Sequence, residues 1–136
     1  MRRLFLDANV LFTAAHNPGG KAAFVIELGA RGHWEVITSI YAVAEAQHNL
    51  RCKYPNALKV LDDLIETIAV APSGTGQICP VPLPGKDRPI LEAAIRHQAS
   101  YLLTGDVKDF GAYMNRPGMT AGVTIQTVSM FLSSIE

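Results

Sequence analysis

Short apolar runs alternate with amphipathic segments along most of the chain. The run at Arg3–Leu6 and several later runs have the length and the β-branched or aromatic content of strands. Between them, apolar residues recur every three or four positions, as on one face of a helix. The pattern predicts strands at about 3–6, 34–38, 67–71, 100–104 and 123–125. It predicts helices at about 21–31, 39–53, 57–66, 87–99 and 126–133, with short helical segments after the first and fourth strands.

Strands that alternate with helices, and that read as continuous apolar runs, indicate a parallel sheet covered on both faces. We therefore predict an α/β fold with three α/β/α layers around a central parallel sheet of about five strands. Ser39 is expected to cap the helix that follows the second strand, because serine is a favoured N-cap residue. The 136 residues are enough for one domain with a real core and too few for two, so the predicted domain spans 1–136.

Composition narrows the functional classes. No apolar run approaches the ~20 residues that a membrane helix needs, and the apolar run near the N-terminus breaks at Asp7, which makes a poor signal peptide. A cytoplasmic location is the resulting expectation, and Cys52 and Cys79 are expected to be free thiols there. Twelve basic and twelve acidic residues cancel. Binding to nucleic acid would therefore need a local basic patch.

One long segment, at 72–86, has no strand or helix pattern and is rich in proline and glycine. Long ordered loops in compact domains tend to be functional. We therefore expect this loop to have a function, which the sequence does not define.

Acidic residues occupy the ends of the predicted strands. Asp7 follows the first strand and Asp106 the fourth, and Asp87 begins the helix that leads into the fourth strand. Ligands of open α/β sheets bind beyond the carboxyl ends of the strands, where these three residues would converge. Glu45 is a fourth candidate, because it lies among alanines and valine in the middle of a predicted helix.

Each of these acids also has an ordinary structural interpretation. Aspartate is a favoured N-cap, which would account for Asp7, Asp87 or Asp106 singly, and a mid-helix glutamate such as Glu45 is usually solvated. Together they are more informative, since two unit charges ~4 Å apart repel by about 4 kcal/mol at an effective dielectric of 20. Such a cluster needs cations or protons, and an all-oxygen cluster suits Mg²⁺ or Mn²⁺ better than zinc.

Four motifs in this order resemble those of a known family. They are Leu6-Asp7-Ala8-Asn9, Glu45 following Ser39, Asp87-x-x-Ile90-Leu91-x-Ala93-Ala94, and Leu103-Thr104-Gly105-Asp106-x-x-Asp109-Phe110. They resemble the successive motifs of PIN-domain ribonucleases, and the single-domain length is similar to VapC-type toxins of bacterial toxin–antitoxin pairs. The resemblance covers almost the whole chain.

The resemblance implies a divalent-metal-dependent endoribonuclease that cuts RNA with a metal-activated water. It also implies an inhibitory antitoxin as the partner and, as in many family members, a homodimer, for which Val60 and Leu64 are candidate surface residues. The implied catalytic residues and metal ligands for Mg²⁺ or Mn²⁺ are Asp7, Glu45, Asp87 and Asp106, with Asp109 as a further ligand. Asn9 and Thr104 would orient these ligands. Lys86, Arg88 and Lys108 flank the acids and are candidates for contacts with RNA phosphates, although ordinary charge balance also explains them.

Two other functions fit parts of the pattern. A protein-binding module would retain the scaffold and use the acids as caps or as a structural ion site. A phosphatase of the haloacid-dehalogenase type also has an aspartate after its first strand, but it needs a second acid two residues later, where this chain has Asn9.

Overall fold

The computed structural model describes residues 1–72, 74 and 78–135. The five strands are β1 (Arg3–Leu6), β2 (Glu35–Ser39), β3 (Ala69–Ala71), β4 (Tyr101–Leu103) and β5 (Thr124–Gln126). The helices are α1 (Ala8–His16), α2 (Lys21–Ala30), α3 (Ile40–Lys53), α4 (Leu58–Ile65), α5 (Arg88–Arg96), α6 (Val107–Phe110) and α7 (Val128–Ser134). Short 3-10 turns at Pro55–Ala57 and Gly111–Tyr113 precede α4 and follow α6.

The strands form one parallel sheet in the order β3-β2-β1-β4-β5. Helices cover both faces and give the predicted three-layer α/β/α fold. The central strand β1 has no exposed apolar side chain, since Leu4, Phe5 and Leu6 are completely buried. Because β1 and β4 pair directly, with Leu6 opposite Leu103, the chain leaves both strands at the same edge of the sheet. The first and fourth strands are therefore neighbours, as the convergence of Asp7 and Asp106 requires.

Ser39 caps α3 as the sequence predicts, because its hydroxyl accepts a hydrogen bond from the backbone N–H of Ala42 at 3.1 Å. The helix α5 ends earlier than predicted, at Arg96. Two residues later Gln98 adopts a positive φ of 55°, a conformation that α-helices do not contain. Both thiols are free, as expected for Cys52 and Cys79.

The strand β3 differs most from its prediction. It spans three residues rather than five and lies at the edge of the sheet, where Val70 remains 37% exposed. The exposure of Val70 accompanies this edge position, because an edge strand has a sheet neighbour on one side only.

The end of the long loop between β3 and α5 is packed against the domain. Val81 and Leu83 are buried, and the Tyr113 hydroxyl donates to the backbone carbonyl of Pro82 at 3.2 Å. This packing delivers Lys86 and Asp87 to the edge where β1 and β4 end. Residues 73 and 75–77 of the predicted loop lie outside the described residues.

No helix in the described part of the chain combines the length and apolar character that crossing a membrane requires.

Candidate active site

Asp7 is the buried acid at the end of β1. Its backbone N–H donates to the carbonyl of Leu103 at 3.0 Å, which extends the β1–β4 ladder by one residue. Its carboxylate accepts hydrogen bonds from the Ala8 N–H at 2.6 Å and from the Thr104 hydroxyl at 2.8 Å. Only 3% of Asp7 is exposed, so these neighbours hold its carboxylate in one position.

Asn9 and Thr104 connect the ends of β1 and β4. The Asn9 side chain accepts a hydrogen bond from the Gly105 N–H at 2.7 Å and donates to Asp7 Oδ2 at 3.3 Å. Thr104 Oγ1 also accepts a hydrogen bond from the Asp106 N–H at 3.0 Å. Both side chains therefore occupy the positions that an orienting role requires, beside Asp7 and along the backbone that leads to Asp106.

Three carboxylates converge beside this pair of strands. One oxygen each of Asp87, Asp106 and Asp109 lies within 4.8 Å of the other two. Lys86 compensates part of their charge, since its Nζ is 4.0 Å from Asp106 Oδ2 and 3.7 Å from Asp109 Oδ2. The structure thus brings together three of the five predicted metal ligands and one of the three predicted phosphate contacts.

Asp87 differs from the other two members of this group. It precedes α5, but its side chain makes no capping hydrogen bond. It is buried, with 5% exposed, and its Oδ2 has no hydrogen-bond donor among the described residues. Burial, and a hydrogen bond between the protonated acid and Asp109, raise the Asp87 pKa to about 7. The same hydrogen bond lowers the pKa of Asp109. The two carboxylates therefore titrate as a pair rather than independently.

Burial also raises the pKa of Asp7, to about 6. The hydrogen bonds from Thr104 and Ala8 oppose this shift, whereas the charges of Glu45 and Asp106 add to it. Two buried acids with raised pKa values at one edge of the sheet are typical of functional sites, although structural ion networks produce the same effect.

Glu45 faces the site but stands outside the group of three. It lies in α3, is partly buried, and its charge raises the pKa of both Asp7 and Tyr41. Tyr41 was not among the predicted site residues. Its hydroxyl donates a hydrogen bond to the backbone carbonyl of Lys86 at 2.9 Å. The negative charges of Asp87 and Asp7 also raise the pKa of this hydroxyl. The available signal was spacing, since Tyr41 and Glu45 are four residues apart on one helix face.

An open cleft of about 680 Å³ begins at these acids. Asp106 and Asp109 line it, together with Lys86 and Lys108. Arg88 is exposed in the first turn of α5 and does not line this cleft. Two of the three predicted phosphate contacts are thus in place to meet a ligand in the cleft.

The capping interpretation holds for two of the acids only. Asp7 accepts from Ala8, and Asp106 accepts from the Asp109 N–H at 2.9 Å, so both cap the helices that follow them. Asp87 caps nothing. Its unsatisfied buried oxygen, next to two further carboxylates, is the donor arrangement that a hard divalent cation such as Mg²⁺ or Mn²⁺ prefers. The residues present therefore fit a metal ion.

Comparisons with known proteins agree on the fold. Chains of three solved structures match 92–94% of this chain and 98–99% of their own length. Two are DNA-bound complexes: VapBC2 from Rickettsia felis with a promoter fragment (15% identity, TM-score 0.67) and VapBC from Salmonella typhimurium (16% identity, TM-score 0.69). The third is VapBC-1 from nontypeable Haemophilus influenzae (19% identity, TM-score 0.61). A comparison with curated proteins gives no significant match. Residues 3–108, more than three quarters of the chain and all the acids described above except Asp109, match the PIN domain. The chain therefore belongs to the PIN domain family.

Proposed function

We propose that this protein is a divalent-metal-dependent endoribonuclease, with Asp7, Glu45, Asp87 and Asp106 as catalytic residues. The observation that carries the proposal is the group of Asp87, Asp106 and Asp109, in which a buried carboxylate oxygen has no donor. A purely structural cluster would be expected to satisfy that oxygen, because an unpaired buried polar atom is costly. Membership of the PIN domain family supports the same chemistry.

The described side chains divide the work of such a site. Asp87, Asp106 and Asp109 would hold the cation, which in such enzymes acidifies a bound water and neutralises charge on the phosphate. Asp7, held in place by the hydrogen bond from Thr104, would add a fourth carboxylate beside these three. Lys86 and Lys108 would contact phosphates of an RNA strand lying in the cleft.

Glu45 and Arg88 contribute in other ways. Glu45 would add negative charge from α3 and draw the cation toward that side of the site. Arg88, outside the cleft, would contact a more distant phosphate.

Two substitutions test the nuclease. Asp7→Asn and Asp87→Asn keep the side-chain shape and remove the charge, so we expect both to abolish Mg²⁺- or Mn²⁺-dependent cleavage of single-stranded RNA by purified protein. Asp62→Asn, an exposed acid in α4 away from the site, is the matched control and should cleave like the wild type. Undiminished cleavage by either site variant would refute the assignment, and so would wild-type protein that cuts no RNA with either metal.

We further propose that the protein is a toxin of the VapC type, inhibited by an antitoxin. The support is the similarity of fold to chains of three VapBC structures over more than nine tenths of the chain. Co-expression with the product of the adjoining reading frame tests this proposal. We expect a stable complex that no longer cleaves RNA, and free, active nuclease in that experiment would contradict it.

The phosphatase interpretation loses its support. Asn9 occupies the position of the second acid, and its side chain is already engaged with Asp7 and Gly105. A homodimer through Val60 and Leu64 stays a prediction. Both side chains are partly buried against the core, and the molar mass in solution is the measurement that tests it.

A further inference from the structure

Three aromatic side chains form an exposed cluster beside the candidate site. Phe12 and His16 lie four residues apart on α1, and Tyr54 follows α3. The rings of His16 and Tyr54 stack with centroids 4.6 Å apart and an interplanar angle of 10°. Phe12 contacts both, with centroids at 5.0 and 5.8 Å. His16 is exposed and Tyr54 is 48% exposed, so the stacked pair is open to solvent. We call these three residues the aromatic platform.

The platform lies on the same two helices as part of the candidate site. Helix α1 begins directly after Asp7, and Asn9, which contacts that acid, lies two turns before His16. At 1.5 Å per residue, Asn9 and His16 are about 10 Å apart along the helix. Helix α3 runs beside α1 and carries Glu45 in its middle and Lys53 at its end. The packed helices α1 and α3 thus connect the acids with the platform.

The charge around the platform is positive. Lys53 Nζ lies 5.9 Å from the centre of the Phe12 ring, and Arg51 is exposed in the same helical turn. Neither has an ion-pair partner within the described ranges. The sequence contains no acidic residue at positions 8–26 or 46–61. Five of the twelve acids and three of the twelve basic residues (Lys86, Arg88 and Lys108) belong to the candidate site, so the rest of the chain carries seven acids and nine basic residues. The neutral net charge therefore conceals a basic region.

We propose that the aromatic platform stacks a nucleobase of single-stranded RNA while Arg51 and Lys53 bind the adjacent phosphates. Exposed aromatic rings beside cations are the combination that single-strand binders use, because every base has a stacking face and every linkage a charge. The inference rests on the proposed nuclease function and adds a binding site for the strand outside the acids. An RNA that spans both regions would be positioned for cleavage at a defined distance from the stacked base.

Substitutions at Tyr54 test the stacking. Tyr54→Leu keeps apolar bulk and removes the aromatic face, whereas Tyr54→Phe keeps the face. Kd would be measured by fluorescence anisotropy with a labelled single-stranded RNA of about ten nucleotides, within the site sizes of single-strand binders. The Asp7→Asn background prevents cleavage. We expect Tyr54→Leu to raise Kd roughly five- to a hundredfold, the loss of one stacked base, and Tyr54→Phe to leave it unchanged.

An unchanged Kd in Tyr54→Leu would overturn the platform. Equal loss in Tyr54→Leu and Tyr54→Phe would overturn it too, because that pattern indicates a phenol contact instead of stacking. If Tyr54→Leu instead weakens binding of a protein partner and leaves RNA binding intact, the surface is a protein interface and the proposal is wrong.

The salt dependence tests the basic residues independently. Arg51→Gln and Lys53→Gln should each reduce the slope of log Kd against log salt by about 0.7, the value for one phosphate contact on a single strand. Lys59→Gln is the matched control, because that lysine is already paired with Asp63 at 2.9 Å. Slopes that do not distinguish Arg51 and Lys53 from Lys59 would contradict the proposal.

A small substrate separates this inference from the nuclease itself. A chromogenic nitrophenyl phosphodiester is too short to reach the platform from the acids, so its Mn²⁺-dependent hydrolysis should be equal in wild type and Tyr54→Leu, while KM for RNA rises. If the wild type cleaves neither this substrate nor RNA, the proposed function fails, and the anisotropy measurements, which need no turnover, still decide whether the platform binds RNA.

Discussion

The Thr104 hydroxyl donates a 2.8 Å hydrogen bond to the carboxylate of Asp7 across the junction of β4 and β1. This bond opposes the rise that burial causes in the Asp7 pKa. It therefore favours the charged form of the acid that a metal ion would need.

Removal of this hydroxyl should weaken metal binding. Thr104→Val preserves shape and deletes the donor, and loss of a group that orients a ligand typically costs 10–100-fold in metal affinity. We expect a weakening of about this size in the Mn²⁺ Kd measured by isothermal titration calorimetry. Thr104→Ser keeps the hydroxyl and should bind within a few-fold of wild type. Equal affinities for the valine and serine variants would exclude an orienting role.

The positions of Asp7 and Asp106 were predictable because they depend on chain order. An acid that directly follows a parallel strand lies at the carboxyl edge of the sheet wherever that strand pairs, and β1 and β4 are neighbours. The cap at Ser39 was predictable for a similar reason, since a cap depends only on adjacent residues.

Other features of the site depend on packing in three dimensions. The unsatisfied oxygen of Asp87 results from the way that the loop and α5 bury it, and the contact of Tyr41 with Lys86 joins segments 45 residues apart. The exposure of β3 could not be predicted from the sequence either. An apolar run of three to five residues has the same pattern whether the strand lies at the edge or at the centre of a sheet. Neither hydrophobic spacing nor charge counts contain this information.

Lys86 should compete with a divalent cation for Asp106 and Asp109. Its ammonium lies 4.0 and 3.7 Å from their carboxylates, but it is 63% exposed, and exposed ion pairs contribute up to ~1 kcal/mol. Lys86→Met should therefore tighten the Mn²⁺ Kd by up to about fivefold in calorimetry. Because the same lysine is a proposed phosphate contact, KM for RNA should rise. Lys108→Met, without an ion pair among the described residues, should change the metal Kd less. Weaker Mn²⁺ binding in Lys86→Met would contradict the competition.

The stability of the metal-free protein should fall as the pH rises. Folding raises the pKa of Asp7 from 3.8 to about 6 and that of Asp87 from 3.8 to about 7. The folded state therefore binds more protons than the unfolded chain between these values, so the stabilisation present below the unfolded pKa is lost as the pH rises through 6 and 7. The lowered pKa of Asp109 has the opposite effect on stability, but only below its unfolded value of 3.8, so it leaves the dependence between pH 5 and 8 unchanged.

Differential scanning fluorimetry with EDTA measures this dependence. We expect Tm to fall by roughly 5–10 °C between about pH 5 and pH 8 in the metal-free protein. Mn²⁺ should raise Tm more at the higher pH, because it binds the deprotonated acids. The variant Asp87→Asn, which lacks the proton-binding group, should show a flatter profile. A Tm that rises over this range in EDTA would show that the raised pKa values do not control stability.

Glu45 should contribute less to metal binding than Asp87. Asp87 belongs to the group of three carboxylates within 4.8 Å, whereas Glu45 lies outside that group and acts on the site through its charge, which raises the pKa of Asp7. Asp87→Asn removes a proposed ligand, but Glu45→Gln removes a neighbouring charge and relieves repulsion at Asp7. We therefore expect calorimetry to show a much larger loss of Mn²⁺ affinity in Asp87→Asn. Equal losses would mean that Glu45 moves into direct contact with the metal, and a Glu45→Asp variant, which keeps the charge on a shorter side chain, would then lose affinity as well.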